Sequence, residues 1–321
     1  MLVLNPIDLI NKAKYILIAT HENPDTDTLC CAIAIGSMLE TQNTKYKIFN
    51  KATKINNKYK IFDNYNKITN VLPNFYDLTI FVDCASLSRV GVKLNMKTNI
   101  INIDHHESND NFGLVNIVNS NAVSCGLVVY KFFIDNNINI NKNMAGALYL
   151  SIYDDSKAFS KYSCDDNIYD VINSLTKLGA KPNELSLNFL QNNKLSKYRL
   201  YAKILNSLKL HNEGKIASIH IKQKWLNQTQ ADIGCCDDIP YEILKINIVF
   251  VVLFIKELTN GDTKVSIRAK AGIDITTIGK FFGGGGHKSS VSIKFKDSSI
   301  KSIKKLVLNK FEELHIVYKQ I

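Results

Sequence analysis

Residues 15–40 read YILIATHENPDTDTLCCAIAIGSMLE, and this stretch sets the fold. Tyr15–Thr20 is a short continuous apolar run, suited to a strand covered on both faces. Thr28–Glu40 places small and apolar residues at helical spacing. Between them stands a polar loop, His21-Glu22-Asn23-Pro24-Asp25-Thr26-Asp27. Strand, polar loop and helix in that order open a βα unit. A plain role for the loop is a turn in which Asp27 caps the helix.

The same grammar continues. Leu78–Asp83 (LTIFVD) and Asn99–Asp104 (NIINID) are apolar strand runs that end in aspartate, and Ser124–Asn136 and Met144–Tyr153 have helical spacing. Buried strands alternating with helices predict an α/β fold whose N-terminal domain is a doubly wound, mostly parallel sheet. From 165 to about 210 the pattern is helical, over Asp166–Leu178, Pro182–Leu190 and Leu195–Leu210. Strand-like runs follow at Lys215–Lys222, Ile246–Lys256 and Lys264–Lys270, then four glycines, a last strand and a last helix. The chain therefore divides into an N-terminal domain at 1–165, a helical connector at 166–210 and a smaller C-terminal α/β domain at 211–321.

Composition narrows the function classes. The 321 residues are 45% hydrophobic and 21% charged, an ordinary globular balance that excludes disordered and fibrous chains. No apolar run approaches the roughly 20 residues that a membrane helix requires. Residues 1–14 lack the basic, apolar and small-residue succession of a secretory leader. The seven cysteines include no Cys-x-x-Cys pair. Together these predict a cytoplasmic protein with free thiols and no membrane partner. The formal charge of +11 is uneven: residues 1–165 hold 16 basic and 15 acidic side chains, and residues 166–321 hold 24 and 14. A basic half suits an anionic partner, although a solvated lysine-rich surface gives the same count.

Acids and imidazoles gather at four predicted strand ends in the first half. They are His21, Asp25 and Asp27 after the first strand, Asp83 after the second, Asp104-His105-His106 after the third, and Asp155 after an apolar helix and short run. In an open α/β sheet, ligands bind beyond the carboxyl ends of the strands, so these groups can converge. Carboxylates and imidazoles without thiolates suit Mn²⁺ or Mg²⁺. Four buried aspartates need compensating charge. Two divalent cations roughly 3.5–4 Å apart are the usual arrangement for in-line attack at phosphorus.

With those motifs in view, the chain resembles the DHH-family phosphoesterases that carry a DHH-associated C-terminal domain, in particular their oligoribonuclease and nucleotide-phosphatase group. His21-x-Asn23-Pro24-Asp25-x-Asp27, Asp83, Asp104-His105-His106 and Asp155 match the family's N-terminal motifs. Gly283-Gly284-Gly285-Gly286-His287, with Arg268 in the strand before it, matches the C-terminal one. The resemblance implies one metal on His21, Asp25 and Asp83, and a second on Asp27, Asp83, His105 and Asp155. A hydroxide between the two would be the nucleophile. It also implies that His106 reaches the scissile phosphate and that Asp104 orients its neighbours. Glycines permit close backbone approach to an anion, and Arg268 and His287 add donors. Arg89, soon after Asp83, either meets substrate or pairs across the sheet.

The activity so implied is manganese-dependent hydrolysis, with magnesium as the second candidate. The substrates would be RNA of two to five nucleotides, cut to mononucleotides, and 3′-phosphoadenosine 5′-phosphate. A homodimer fits the resemblance, but no sequence feature specifies an interface. The chain departs from the family at Ser156-Lys157 and at Lys288-Ser289-Ser290, which touches substrate binding more than the metals. A phosphodiesterase of cyclic di-AMP or of its linear product pApA ranks second. An inorganic pyrophosphatase ranks third, and a nucleotide-sensing module without turnover is the alternative of a different class.

Overall fold

Ile16–Ala19 (β1) lies between two parallel neighbours, and all four of its residues are buried. Ile16 and Ile18 face one core, and Leu17 and Ala19 the other. An apolar strand without alternation is thus the consequence of a sheet covered on both sides. The structure, a computed structural model, describes residues 4–53, 55–95, 97–159, 166–190 and 193–316. Two compact units divide it, Met1–Asn192 and Asn193–Ile321. The division falls inside the stretch read as a helical connector.

In the first unit, α1 (Pro6–Lys12) precedes β1, and α2 (Thr26–Thr41) follows it. Next come β2 (Tyr46–Phe49), β3 (Ile68–Thr69), β4 (Leu78–Val82), β5 (Asn99–Asp104) and β6 (Val115–Val118). The unit closes with α3 (Cys125–Asp135), α4 (Lys142–Asp155), α5 (Asp166–Lys177) and α6 (Pro182–Leu190). All strand pairs are parallel, in the order β3-β2-β1-β4-β5-β6. The order reverses between β1 and β4, which makes their carboxyl ends the crevice of a doubly wound sheet. Helix α2 is buried over every residue from Thr26 to Leu39, so it is the central pillar of the larger core.

Three local expectations are corrected. Helix α2 begins at Thr26, and its N-cap is Asp25, whose carboxylate accepts the Thr28 N–H; Asp27 is free of the cap and turned to another task. Asp155 ends helix α4, not a strand. Strands β2, β3 and β6 complete the sheet where the sequence pattern showed none.

The second unit contains α7 (Leu195–Leu205), β7 (Lys209–His211), β8 (Ile216–Ile221), α8 (Gln223–Thr229), α9 (Ile239–Leu244) and β9 (Val251–Glu257). It continues with β10 (Thr263–Ala269), α10 (Thr276–Phe281), β11 (Gly285–His287), β12 (Ser290–Phe295) and α11 (Ile300–Leu314). Its sheet runs β11-β12-β10-β9-β8-β7, with only β8 and β9 parallel. Helix α7 stops five residues before the predicted Leu210, because Lys209–His211 pairs with β8 instead.

His220 on β8 stacks against Trp225, with ring centroids 4.9 Å apart. Burial, with the charges of Lys222 and Lys304, pushes this imidazole from 6.5 down to about 4. Its folded value lies below the unfolded one, so the unfolded chain takes up the proton first as pH falls. The stabilisation is complete above about 6.5 and lost progressively towards 4. Trp225 is the sole tryptophan and reports the unfolding of this unit. We expect the urea midpoint read by its fluorescence to fall between pH 6.5 and 4 more steeply in the wild type than in His220→Phe. Parallel curves for the two proteins would refute the assignment.

Candidate metal centre

The loop after β1 is clamped before it carries any chemistry. The Asn50 amide donates to Thr20 Oγ1 at 2.8 Å and to the His21 carbonyl at 2.7 Å. The Glu22 N–H donates to the Arg89 carbonyl at 2.8 Å. Asp25, as N-cap of α2, accepts from both the N–H and the hydroxyl of Thr28, at 3.0 and 2.9 Å. Burial opposes ionisation of Asp25, but the Thr28 N–H, the charge of His21 and the Thr28 hydroxyl hold its carboxyl below the ordinary value. The Thr28 hydroxyl also lies 2.7 Å from His21 Nε2 and 2.5 Å from Asp83 Oδ2. One hydroxyl has one proton, so it cannot satisfy both carboxylates.

Asp83 follows β4 with a left-handed backbone, φ 55°, a conformation aspartate tolerates better than most residues. It is 2% exposed, and its Oδ1 is buried without a hydrogen-bond partner. His105 Nε2 is 3.5 Å from that oxygen, and His21 Nε2 is 3.7 Å from Oδ2. The His105 ring is oriented from behind, with Nδ1 3.1 Å from the Ala122 carbonyl. A carbonyl only accepts, so Nδ1 carries a proton, and in the neutral ring Nε2 presents a lone pair. That lone pair faces Asp83, Asp27 at 3.8 Å and Asp155 at 3.9 Å.

Asp27 sits against the start of α3. Its Oδ2 accepts the Cys125 N–H at 2.8 Å, and its Oδ1 accepts the Gly126 N–H at 3.1 Å and the Ser151 hydroxyl. The helix terminus favours the negative charge, and glycine is required there: a Cβ at 126 would lie 1.8 Å from Ser151 Oγ. Burial and the carboxylates of Asp83, Asp155 and Asp25 nevertheless push Asp27 well above its ordinary value. The pocket therefore resists holding its four charges without a counter-charge.

Three side-chain groups bring ligand atoms within 4.8 Å of one another: His21/Asp25/Asp83, Asp27/His105/Asp155 and Asp83/His105/His106. Acceptors facing acceptors, with a buried orphan oxygen shared between groups, fit divalent cations. The third group is the least apt, because His106 Nδ1 is committed to Asp104 Oδ1 at 2.7 Å. Burial disfavours the charged form of each partner. Their mutual bond and charge still hold Asp104 below and His106 above the ordinary value, with Asn109 assisting Asp104 and Asp83 assisting His106. Arg89 Nη1 lies 3.4 Å from His106 Nε2. The pair Asp104–His106, with Arg89 beside it, is thus a cationic edge to an anionic cluster.

Sequence reasoning missed Thr28, Ser151, Asn109 and the α3 terminus. Ser124, the α3 N-cap, was the one available signal, as a serine before an apolar run.

In the second unit, Arg268 Nε donates to the Tyr241 hydroxyl at 3.1 Å and Nη1 to the Ile267 carbonyl at 3.0 Å. Arg268 and His287 both pair with Ser290, from opposite sides of β12. Gly283 has φ +68°, and a Cβ at Gly284 or Gly286 would come within 2.4 or 2.1 Å of a β12 carbonyl. Those three are required by the turn from α10 into the hairpin. Gly285 is different: nothing lies within 4 Å of where its Cβ would be.

Asp83→Asn should separate fold from site. The asparagine amide can donate to the His105 lone pair and removes one of the crowded charges. In EDTA the variant should melt at or above the wild-type temperature. Mn²⁺ should raise Tm of the wild type, as any ligand of the native state does, and not that of the variant. A metal-free variant several degrees less stable, or an equal Mn²⁺ shift in both proteins, would contradict the reading.

The comparisons with known proteins agree with this geometry. The family model for the DHH family, N-terminal domain, matches residues 15–152. The bifunctional oligoribonuclease and PAP phosphatase NrnA of Thermus thermophilus is 25% identical over 301 residues, 93% of this chain and 89% of that protein. Among solved structures, an exopolyphosphatase-related protein from Bacteroides fragilis superposes with a TM-score of 0.87 at 20% identity, over 96% of this chain and 95% of that one. RecJ of Thermus thermophilus in complex with Mn²⁺ superposes with a TM-score of 0.54 at 12% identity, over 98% of this chain and 56% of that one. These two establish the fold. Residues 15–152 match the DHH-family N-terminal domain, and the bounds of the match take in every member of the acid and histidine cluster except Asp155.

Proposed function

We propose that this chain is a metal-dependent phosphoesterase, acting in the cytoplasm, that hydrolyses RNA of two to five nucleotides to mononucleotides and removes the 3′-phosphate from 3′-phosphoadenosine 5′-phosphate. The observation that carries the proposal is the acceptor-rich cluster around the orphaned Asp83 Oδ1, and the identity to an oligoribonuclease and PAP phosphatase supplies the substrates. His21, Asp25 and Asp83 would hold one cation, and Asp27, His105 and Asp155 a second, with Asp83 shared. Mn²⁺, or Mg²⁺ in its place, would supply charge at the phosphate and an activated water at neutral pH.

The remaining roles belong to the chain. His106, whose protonated form Asp104 favours, and Arg89 beside it would meet the non-bridging phosphate oxygens as negative charge develops. Asp104 acts through His106 and is a positioning residue. Ala122, Thr28 and Asn50 keep the cluster's side chains oriented. In the second unit, Arg268 retains guanidinium donors beyond those given to Tyr241 and Ile267, and it suits bidentate phosphate contact. The open side of Gly285 admits close approach of an anion, and His287 is assigned to the same task. Residues 1–165 would thus cut and residues 211–321 would hold the substrate.

A side-by-side turnover assay with Mn²⁺ tests the substrate. We expect cleavage of labelled two- to five-mer RNA and of 3′-phosphoadenosine 5′-phosphate. Cleavage of cyclic di-AMP or pApA with short RNA left intact would transfer the function to the dinucleotide phosphodiesterase reading. Arg268→Ala should raise KM for nucleotides about tenfold, as loss of a charge-assisted contact does, and should affect bis(p-nitrophenyl) phosphate less. Equal losses on both substrates would remove Arg268 from the binding site.

A further inference from the structure

A cavity of about 280 Å³ opens in the first unit, lined in part by Thr26, Lys58, Tyr149, Tyr153, Asp154 and Phe189. Its lining adjoins the metal centre along the chain, since Thr26 stands between Asp25 and Asp27, and Asp154 precedes Asp155. The first turn of α2 and the last turn of α4 therefore present carboxylates to the cations and the neighbouring residues to this cavity.

The lining has a specific chemistry. Tyr149 and Tyr153 stack with centroids 6.0 Å apart and planes 14° apart. Phe189 meets Tyr59 edge to face at 5.2 Å. The Lys58 ammonium lies 4.6 Å from the Phe189 centroid and 5.1 Å from that of Tyr59, and it donates to Thr26 Oγ1 at 3.3 Å. Thr26 and Tyr149 are buried, Lys58, Tyr153 and Phe189 are half-buried, and Asp154 is exposed. Aromatic side chains flanked by an ammonium and a carboxylate suit a planar ring that both accepts and donates hydrogen bonds. A hydrocarbon makes no use of the polar groups in this lining, and a second phosphate is repelled by Asp154. The volume lies near the floor of the roughly 300–1,000 Å³ typical of small-ligand sites, enough for one base with its sugar and too little for a longer chain.

We infer that this cavity is a nucleobase subsite, which takes the base of a nucleotide adjoining the scissile phosphate and gives the enzyme its preference for nucleotides over simple phosphodiesters. The inference rests on the proposed function. Stacking is tolerant of sequence because every base has a π-face, so one such site serves RNA of any composition. Lys58 can donate to carbonyl oxygens and ring nitrogens of a base, and Asp154 can accept from its exocyclic amines.

The test uses the full chain and two variants, Phe189→Ala and Lys58→Gln, each checked for an unchanged thermal unfolding curve; Lys58→Gln keeps the test intact where loss of Phe189 loosens α6. With Mn²⁺, kcat/KM is measured for the dinucleotide pApA and for bis(p-nitrophenyl) phosphate. The ratio of the two should fall about tenfold in each variant, through KM for the dinucleotide, in keeping with the loss of one stacked base. Separately, equilibrium dialysis of adenosine monophosphate against the metal-free protein should show binding weakened about tenfold by each substitution. A ratio and an affinity both within twofold of the wild type would overturn the subsite. A protein that turns over no nucleotide, yet loses adenosine monophosphate binding with both substitutions, would refute the proposed function and leave the subsite standing.

Discussion

Charge crowding at Asp83 is the constraint around which the first unit is organised. Four aspartates reach one small region, and burial together with the charges of Asp83, Asp155 and Asp25 pushes Asp27 up. The available donors are few: the N–H and hydroxyl of Thr28, the Ser151 hydroxyl, the weak Cys31 thiol, and two backbone N–H groups at the start of α3. The nearest imidazole, His105, is held by the Ala122 carbonyl so that its Nε2 faces the carboxylates. Such a cluster is costly to bury without cations. A fold selected for stability alone would protonate or replace these residues, and this one instead fixes them more firmly.

That fixing follows from topology. The order β3-β2-β1-β4-β5-β6 puts the ends of β1, β4 and β5 side by side at the reversal point, and each supplies part of the cluster. Asp27 and Asp155 come from helices, one from the first turn of α2 and one from the last residue of α4. These helices pack tightly because α2 is buried along nearly its whole length. Gly126 lets α3 approach Ser151 closely enough for both to serve Asp27. Core packing and site geometry are thus the same set of contacts.

The sequence revealed the strands in which apolar residues dominate and the residues at their ends, because both signals are local. It concealed β2, where Lys47 interrupts an apolar run, and β6, where Asn116 does the same. Both lie away from the central pair β1 and β4, where a polar side chain is tolerated. It also placed the α2 cap on Asp27 instead of Asp25, since either aspartate satisfies a capping pattern and only the three-dimensional demand of α3 decides between them. Thr28, Ser151 and Ala122 were beyond sequence reading for a stronger reason. Their roles depend on which hydroxyl or carbonyl a fold brings to a carboxylate or imidazole, and no spacing rule encodes that. The glycine run was only partly readable: four glycines suggested an anion cradle, but three of them are demanded by the path of the chain from α10 to β12.

The division between the units sharpens the electrostatics. Counted to Asn192, the first unit has 18 basic and 18 acidic residues, and the second has 22 and 11. The whole excess of +11 therefore belongs to the unit that carries Arg268 and the glycine run, and the unit with the acidic cluster is neutral. A neutral unit that takes up divalent cations becomes positive only where they sit, so the field it presents to an anion is concentrated at the cluster. In the proposed function the basic unit would present a diffuse field, which would draw in polyanions but select little among them. Selectivity must then come from short-range features, and in the first unit the aromatic cavity beside the cluster is the feature with the right chemistry. Long-range attraction, local charge and shape are thus supplied by three different parts of the chain.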